Sequence, residues 1–235
     1  MDGQLSLTGE PVEPRRLSVT ALVDLRRCPR RFSFCHLEGH GRRQPSGAAL
    51  GAAVHRAIER VHRGGKTDDG ADETPYVDAF RRSTFAGRRL VAAELPVRLR
   101  RAGFVIAGRV DAVFAGEDGD DAWEIVDWKT GGAPAQPDAA DDAQLEVYAL
   151  VAIEQYGRDP SKLATSYLHL ATGEIRRRKW STAVVEVAEA RLAADLHRID
   201  EADLPAVPNR TCPGCDALPV CPPGLERVAA LEGLP

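Results

Sequence analysis

Lysine is almost absent from this chain. The 31 basic residues are 27 arginines and 4 lysines. Methionine occurs once, and aromatic residues make up only 6% of the 235 positions. No run of 18 apolar residues occurs, so no transmembrane helix is expected. Met1–Thr20 is acidic and polar and lacks the apolar centre of a secretory signal, so the expected compartment is the cytoplasm. No Gly-x-x-x-x-Gly-Lys-Ser/Thr loop occurs, which excludes an ATP-driven motor of that type. A net charge of −4 argues against non-specific nucleic-acid binding by bulk charge.

Apolar residues make up 43% and charged residues 28%, which is the balance of a soluble globular chain with enough apolar surface for a core. The length predicts one domain, or one and a half with an appended element. The charge is clustered. Arginines form knots at Arg26, Arg27, Arg30 and Arg31, at Arg81 and Arg82, at Arg98, Arg100 and Arg101, and at Arg176, Arg177 and Arg178. Acids gather in Asp68–Glu73, Glu117–Asp121 and Asp138–Asp142. Guanidinium groups donate a bidentate fork that suits phosphate, although a solvated arginine-rich surface has the same composition.

The periodicity predicts helices first. Ser18 or Thr20 caps a helix through Arg27, with Leu22 and Leu25 inside. Pro29 opens a second helix that buries Phe32, Phe34 and Leu37, and Gly39 and Gly41 end it. Ser46–Val61 is a helix with Leu50, Val54, Ile58 and Val61 on one face. Pro75–Glu94 resumes helical character. Three strands follow, Leu95–Arg101, Phe104–Phe114 and Trp123–Lys129, in an antiparallel meander. Ala140–Tyr156 is helical, Leu163–Leu170 and Glu174–Trp180 are strands, and Thr182–Leu204 is a final long helix. The expected architecture is α/β (α+β), a mixed sheet flanked by helices. Its divisions are a flexible lead-in over 1–17, a core over 18–205 and a cysteine-rich segment over 206–235.

Two strands carry acids and a lysine in an apolar setting. One is Gly108-Arg109-Val110-Asp111-Ala112-Val113. The other is Glu124-Ile125-Val126-Asp127-Trp128-Lys129-Thr130-Gly131. Asp127 and Lys129 are two residues apart and share a face with Ile125, while Glu124, Val126 and Trp128 face the other way. Hairpin pairing brings Asp111 beside Asp127. Two carboxylates with neighbouring carbonyl oxygens make a hard site suited to Mg²⁺ or Mn²⁺, with Lys129 placed to stabilise developing charge. A plain Asp–Lys ion pair at a strand end is the alternative.

Together, Gly-Arg-Val-Asp, a tight turn and Ile-Val-Asp-Trp-Lys-Thr-Gly resemble the active-site signature of the RecB-like branch of the PD-(D/E)XK nucleases. His55, in Gly-x-x-x-His-Arg-x-Ile-Glu, is similar to the family's upstream histidine motif. Gln144 and Tyr148, in Gln-Leu-Glu-Val-Tyr, match its downstream Gln-x-x-x-Tyr. Trp128 departs from the pattern, where Tyr or another apolar residue is expected. The resemblance spans roughly residues 17–223 and implies a restriction-endonuclease-like fold. It implies a catalytic set of Asp111, Asp127, Lys129, Gln144 and Tyr148. The metal set is His55, Asp111, Asp127 and the Trp128 backbone carbonyl. The imidazole nitrogen shifts preference toward Mn²⁺.

Five cysteines in a cytoplasmic chain argue against structural disulfides. Cys212-Pro-Gly-Cys215 with Cys221 five residues on, and Cys28 far upstream in Cys-Pro-Arg-Arg-Phe, resemble the iron–sulfur staple of AddB-type and CRISPR-associated RecB-like nucleases. That resemblance implies a [4Fe–4S] cluster on Cys28, Cys212, Cys215 and Cys221. The same thiolates suit Zn²⁺, and free loop cysteines are a third reading. Such a cluster ties chain positions 193 residues apart and serves as a clamp. Cys35 is left as a buried small side chain.

The family implies a metal-dependent deoxyribonuclease, an exonuclease on single-stranded DNA ends in repair or recombination. It would be nucleoid-associated and open to recruitment by a UvrD-like helicase. Arg26, Arg27, Arg30, Arg31, Arg176, Arg177 and Arg178 are the candidate phosphate contacts. A catalytically silent DNA-binding or scaffold module of a helicase–nuclease complex and a CRISPR-adaptation nuclease are the competing expectations.

Overall fold

The computed structural model describes residues 13–41, 48–62, 74–117, 119, 121–131, 133 and 139–233. Strand β1 (Arg15–Ser18) leads into helix α1 (Val19–Arg27), followed by α2 (Pro29–Phe32) and a π-turn over Ser33–Leu37. Helices α3 (Ala48–His62) and α4 (Pro75–Arg82) come next, then strands β2 (Leu90–Arg101), β3 (Phe104–Ala115) and β4 (Trp123–Lys129). Helix α5 (Ala139–Tyr156), strands β5 (Leu163–His169) and β6 (Glu174–Lys179), and helices α6 (Thr182–Asp200) and α7 (Pro222–Glu232) complete the order.

Strand β3 is the spine of one mixed sheet. Along one edge it pairs antiparallel with β2, from Phe104 to Phe114. Its other edge is shared. β1 runs parallel against Phe104–Ala107, and β4 runs antiparallel against Ala112–Ala115. Gly108–Asp111 lies between the two partners, so the sheet forks there. β5 then runs parallel to β4, and β6 antiparallel to β5.

The fork is made by local chemistry. The Ser18 hydroxyl accepts a hydrogen bond from Ala21 N–H at 3.0 Å, which ends β1 and starts α1. The helix leaves the sheet across Gly108. A Cβ there would lie 2.6 Å from Val19 Cγ2, so only glycine admits the crossing.

Two cores sandwich the sheet. On one face Val113, Ile125 and Tyr167 pack with Leu22 of α1, Leu145 of α5 and Leu192 of α6. On the other, Phe114, Val126, Trp128 and Leu168 pack with Val54 and Ile58 of α3 and Phe80 of α4. The Trp128 ring lies 5.3 Å from Phe80 and 6.0 Å from Phe85, in edge-on contact with both. The tryptophan that departs from the family pattern is therefore the centre of an aromatic cluster, on the face opposite Asp127 and Lys129.

The first face also holds a buried ionic group. Glu146 accepts from Arg26 at 2.5 Å, Arg191 at 2.9 Å and Arg178 at 3.3 Å. Arg26 Nε reaches Asp195 at 2.5 Å. A second polar network joins the two ends of the chain. Asp24 receives His36 at 2.9 Å and Arg31 at 3.2 Å, and Arg31 also reaches Asp216 at 3.1 Å.

Several expectations are corrected. Part of the expected lead-in lies outside the described residues, but Arg15–Ser18 is strand β1, fixed by its parallel pairing to β3. Leu37 and Leu50 are exposed, because the π-turn rotates the first outward and the second lies on the first turn of α3. The helix expected to Glu94 stops at Arg82, where the Ser83 hydroxyl bonds the Phe80 carbonyl, and Leu90–Glu94 is already strand. α6 ends at Asp200, with Ala202 in left-handed backbone, and α7 follows the cysteine-rich stretch. The remaining strands lie within one residue of expectation.

Removing Glu146 leaves the buried Arg26 with Asp195 alone and takes a carboxylate from Arg178 and Arg191. Glu146→Ala should lower the free energy of unfolding by about 3–5 kcal/mol, read by urea denaturation.

Candidate metal and phosphodiester site

The site occupies the fork between β3 and β4. Their last paired residues there are Ala112 and Val126. Beyond them the strands part, and Trp128 N–H donates to Asp111 Oδ2 at 2.8 Å across the gap. Asp111 Oδ1 meets His55 Nδ1, from α3, at 3.1 Å. Glu94 enters from β2 with φ +51, a left-handed backbone that side-chain-bearing residues rarely adopt. His55, Glu94 and Asp111 each place a ligand atom within 4.8 Å of the others. Two carboxylates and an imidazole converging this closely fit a divalent ion of the Mg²⁺ or Mn²⁺ class.

Beside this group runs a continuous hydrogen-bonded chain. Lys129 Nζ lies 2.7 Å from Asp127 Oδ2 and donates to Gln144 Oε1 at 2.9 Å. Gln144 Nε2 donates to Asp127 Oδ1 at 2.5 Å and to Tyr148 OH at 2.8 Å. Tyr148 OH donates to the Arg109 carbonyl at 2.6 Å, filling an acceptor on the stretch that the forked sheet leaves unpaired. Gln144 and Tyr148 are four apart on α5 and so reach the fork together.

The electrostatics follow from burial. Asp127 is 3% exposed. Burial pushes its carboxyl up to about 6, against the pull of the Lys129 ammonium, and the Asp111 charge adds to the rise. Burial disfavours the His55 imidazolium, but the Asp111 hydrogen bond and the charges of Asp111, Asp127 and Glu94 outweigh it and raise its pKa. Burial, then the Asp127 charge, drives the Tyr148 phenol far up, so it serves as a neutral donor.

Of the residues singled out from sequence, Asp111, Asp127, Lys129, Gln144, Tyr148 and His55 therefore meet at one place. Glu94 was missed. Its signal was countable. Ala102–Gly103 is a two-residue hairpin turn with both residues at positive φ, and the register Arg101↔Phe104 onward sets Glu94 opposite Asp111.

The arginines divide. Arg27 and Arg176 line the open cleft that also holds His55, Lys129, Gln144 and His169. Arg26 does not. Its side chain is 6% exposed and held by Glu146 and Asp195. Arg31 is enclosed by Asp24 and Asp216. Arg30 pairs with Glu38. Arg177 lies on the opposite face of β6, between Glu117 and Glu124, because strand alternation turns it away. Arg178 faces inward to Asp142 and Glu146. In this structure all five are held by carboxylates of the chain itself, Arg26 in its interior and Arg30 nearer the surface.

Cys28, Cys212, Cys215 and Cys221 line a single small pocket between α2 and the C-terminal segment. Val207 N–H points at Cys28 Sγ at 3.4 Å, and Asn209 N–H at Cys212 Sγ at 3.2 Å. Gly224 closes the pocket, since a Cβ there would lie 3.3 Å from Cys221 Sγ. Cys35 is buried outside it, and burial, then the Asp216 charge, pushes its thiol up to about 11.

Glu94→Gln removes one charge from the convergent carboxylates. It should weaken Mn²⁺ binding at least tenfold, measured by titration calorimetry, while leaving the fold intact.

The family model described as the PD-(D/E)XK nuclease superfamily matches residues 16–87 and 73–222. No curated protein matches the chain. Among solved structures, the crystal structure of SSO0001 is similar over 92% of this chain and 89% of its own, with 20% identity and a TM-score of 0.51. A "Putative exonuclease" from Eubacterium rectale is similar over 93% of this chain and 94% of its own, with 16% identity and a TM-score of 0.56. At these identities the likeness is one of fold. With the family model spanning most of its length, the chain belongs to the PD-(D/E)XK nuclease superfamily.

Proposed function

We propose that this nuclease is a metal-dependent deoxyribonuclease, an exonuclease acting on single-stranded DNA ends in repair or recombination. The observation that carries the reading is the joining of His55, Glu94 and Asp111 to the Asp127–Lys129–Gln144–Tyr148 chain in one fork. Metal dependence follows from the donor set. The single-strand and end preferences rest on the family resemblance and on the exonuclease name of one structural neighbour.

The residues divide the work. His55, Glu94 and Asp111 would hold the divalent ion, with Asp127 and the Trp128 carbonyl beside it. That ion supplies Lewis-acid polarisation of a phosphoryl oxygen and a bound water of lowered pKa. Lys129 stands where negative charge develops, its ammonium aimed by Asp127 and Gln144. Gln144 and Tyr148 fix that aim and join it to the β3 backbone. Among the described residues no helix is long and apolar enough to cross a membrane.

The cysteine pocket supports a bound cluster. Four cysteines line it and backbone N–H groups point at two of their sulfurs, an environment suited to an iron–sulfur ligand set. The choice of [4Fe–4S] over Zn²⁺ rests on the resemblance of the four-cysteine spacing to iron–sulfur-stapled nucleases. Recruitment by a helicase remains compatible with a chain that has no phosphate loop of its own.

Two measurements test this. End-labelled single-stranded DNA with Mn²⁺ should be shortened by the wild type, and Lys129→Ala should lose about 10²–10³-fold in kcat. Failure of the folded wild type to cleave with either Mn²⁺ or Mg²⁺ would move the assignment to a silent binding module. Protein isolated without oxygen should absorb broadly in the visible, and Cys221→Ser should lose that absorbance. Zinc by elemental analysis, without iron, would refute the cluster.

A further inference from the structure

His169 is a buried histidine to which the nuclease reading gives no task. It is 5% exposed, and neither ring nitrogen makes a hydrogen bond among the described residues. The Gly131 backbone faces the ring without closing a bond of good geometry. An unpartnered buried polar group carries a cost that a bound ligand can offset. The ring lines the same open cleft as Lys129 and Gln144.

Its position is set by register. Lys129 on β4 pairs with His169 on β5, and Tyr167, two residues before His169, pairs with Arg176 on β6. Paired residues share a face, as do residues two apart on a strand. Lys129, His169 and Arg176 therefore occupy one face of three successive strands, spaced about 4.8 Å per strand. Arg176 is partly buried and makes no ion pair among the described residues, whereas Arg177 and Arg178 are both held by carboxylates. The row runs away from Asp111 and Asp127 toward the β6 edge, where the exposed Glu174, paired with His169, is the one carboxylate that β5 and β6 place on the same face. It joins two cations and a ring N–H, a set that repels metal ions and suits phosphate oxygens.

We propose that His169 and Arg176 form a phosphate subsite that takes the backbone phosphate next to the one cleaved, with Lys129 standing between the two positions. The subsite rests on the nuclease reading for its substrate but not for its existence as an anion site. Burial holds the imidazole neutral, so His169 offers a single directed N–H, and Arg176 supplies the charge.

The test is binding of a fluorescent single-stranded oligodeoxynucleotide by the full chain with Ca²⁺ in place of Mn²⁺, followed over a range of salt. His169→Ala and Arg176→Gln should each weaken binding about 5- to 20-fold, and His169→Gln, which keeps one donor, should recover part of the loss. In Arg176→Gln the slope of log Kd against log salt should shrink by about 0.7, the value for one single-strand phosphate contact. With Mn²⁺ the same variants should lose more in KM than in kcat. An unchanged salt slope in Arg176→Gln overturns the proposal, and this partly exposed position remains informative if the buried histidine variants fail to fold. Wild-type binding with these losses but no cleavage sinks the nuclease reading and leaves the subsite standing. Wild-type cleavage with unaffected variants does the reverse.

Discussion

The parting of β3 from β4 after Ala112 and Val126 is the constraint on which the rest depends. A continuous sheet would satisfy its backbone groups in the ladder and leave no opening. Because β1 takes one half of the β3 edge and β4 the other, the stretch between them must find other partners. Asp111 receives the Trp128 N–H and Tyr148 donates to the Arg109 carbonyl. The groups that complete the broken ladder are thus the groups of the site. Gly108 makes the fork possible by letting α1 cross, and α5 fills it with Gln144 and Tyr148.

Arginine does most of the ionic work elsewhere. With few lysines in the chain, internal carboxylates such as Glu124, Glu146 and Asp24 are met by guanidinium groups that satisfy several oxygens at once. Lys129 is an exception with a reason. A compact ammonium on a flexible stem can approach both Asp127 and Gln144 without imposing a planar fork on either. The arginine knots read from sequence as phosphate contacts mix two populations. Sequence spacing does not reveal which members find a carboxylate: alternation turns Arg177 to the other face, while Arg178 shares the face of Arg176 and differs by its pairing with Asp142 and Glu146.

Much of the site was legible because its residues sit at fixed offsets within single elements. Asp127 and Lys129 share a strand face and Gln144 and Tyr148 a helix face, and no tertiary knowledge is needed to place them together. Glu94 required one further step, the register of a hairpin whose turn is Ala102–Gly103. The helix expected through Pro75–Glu94 hid it, because the apolar and arginine-rich sequence after Arg82 contains no proline and its single glycine, Gly87, is tolerated within a helical pattern. β1 was hidden for another reason. Four residues show no periodicity of their own, and their strand conformation comes from β3 supplying the parallel partner. The cysteine spacing singled out Cys28, Cys212, Cys215 and Cys221, and the same four line one pocket.

The cysteine-rich segment and the cleft are coupled through one helix. α1 begins at the fork, over Gly108, and ends at Arg27, whose side chain lines the cleft. The Arg27 carbonyl accepts from Asn209 Nδ2 at 3.1 Å, and the next residue, Cys28, accepts from Val207 N–H. Arg30 N–H is bound by the Pro205 carbonyl at 3.1 Å. Three bonds from residues 205–209 therefore fix the end of the helix that presents Arg27. The Asp24–Arg31–Asp216 network fixes it a second time without any of the four pocket cysteines. A cluster on the four thiolates would tighten a connection that polar contacts already make. Its loss is then expected to act first on the wall of the cleft rather than on the carboxylates and Lys129, which are anchored in the sheet itself.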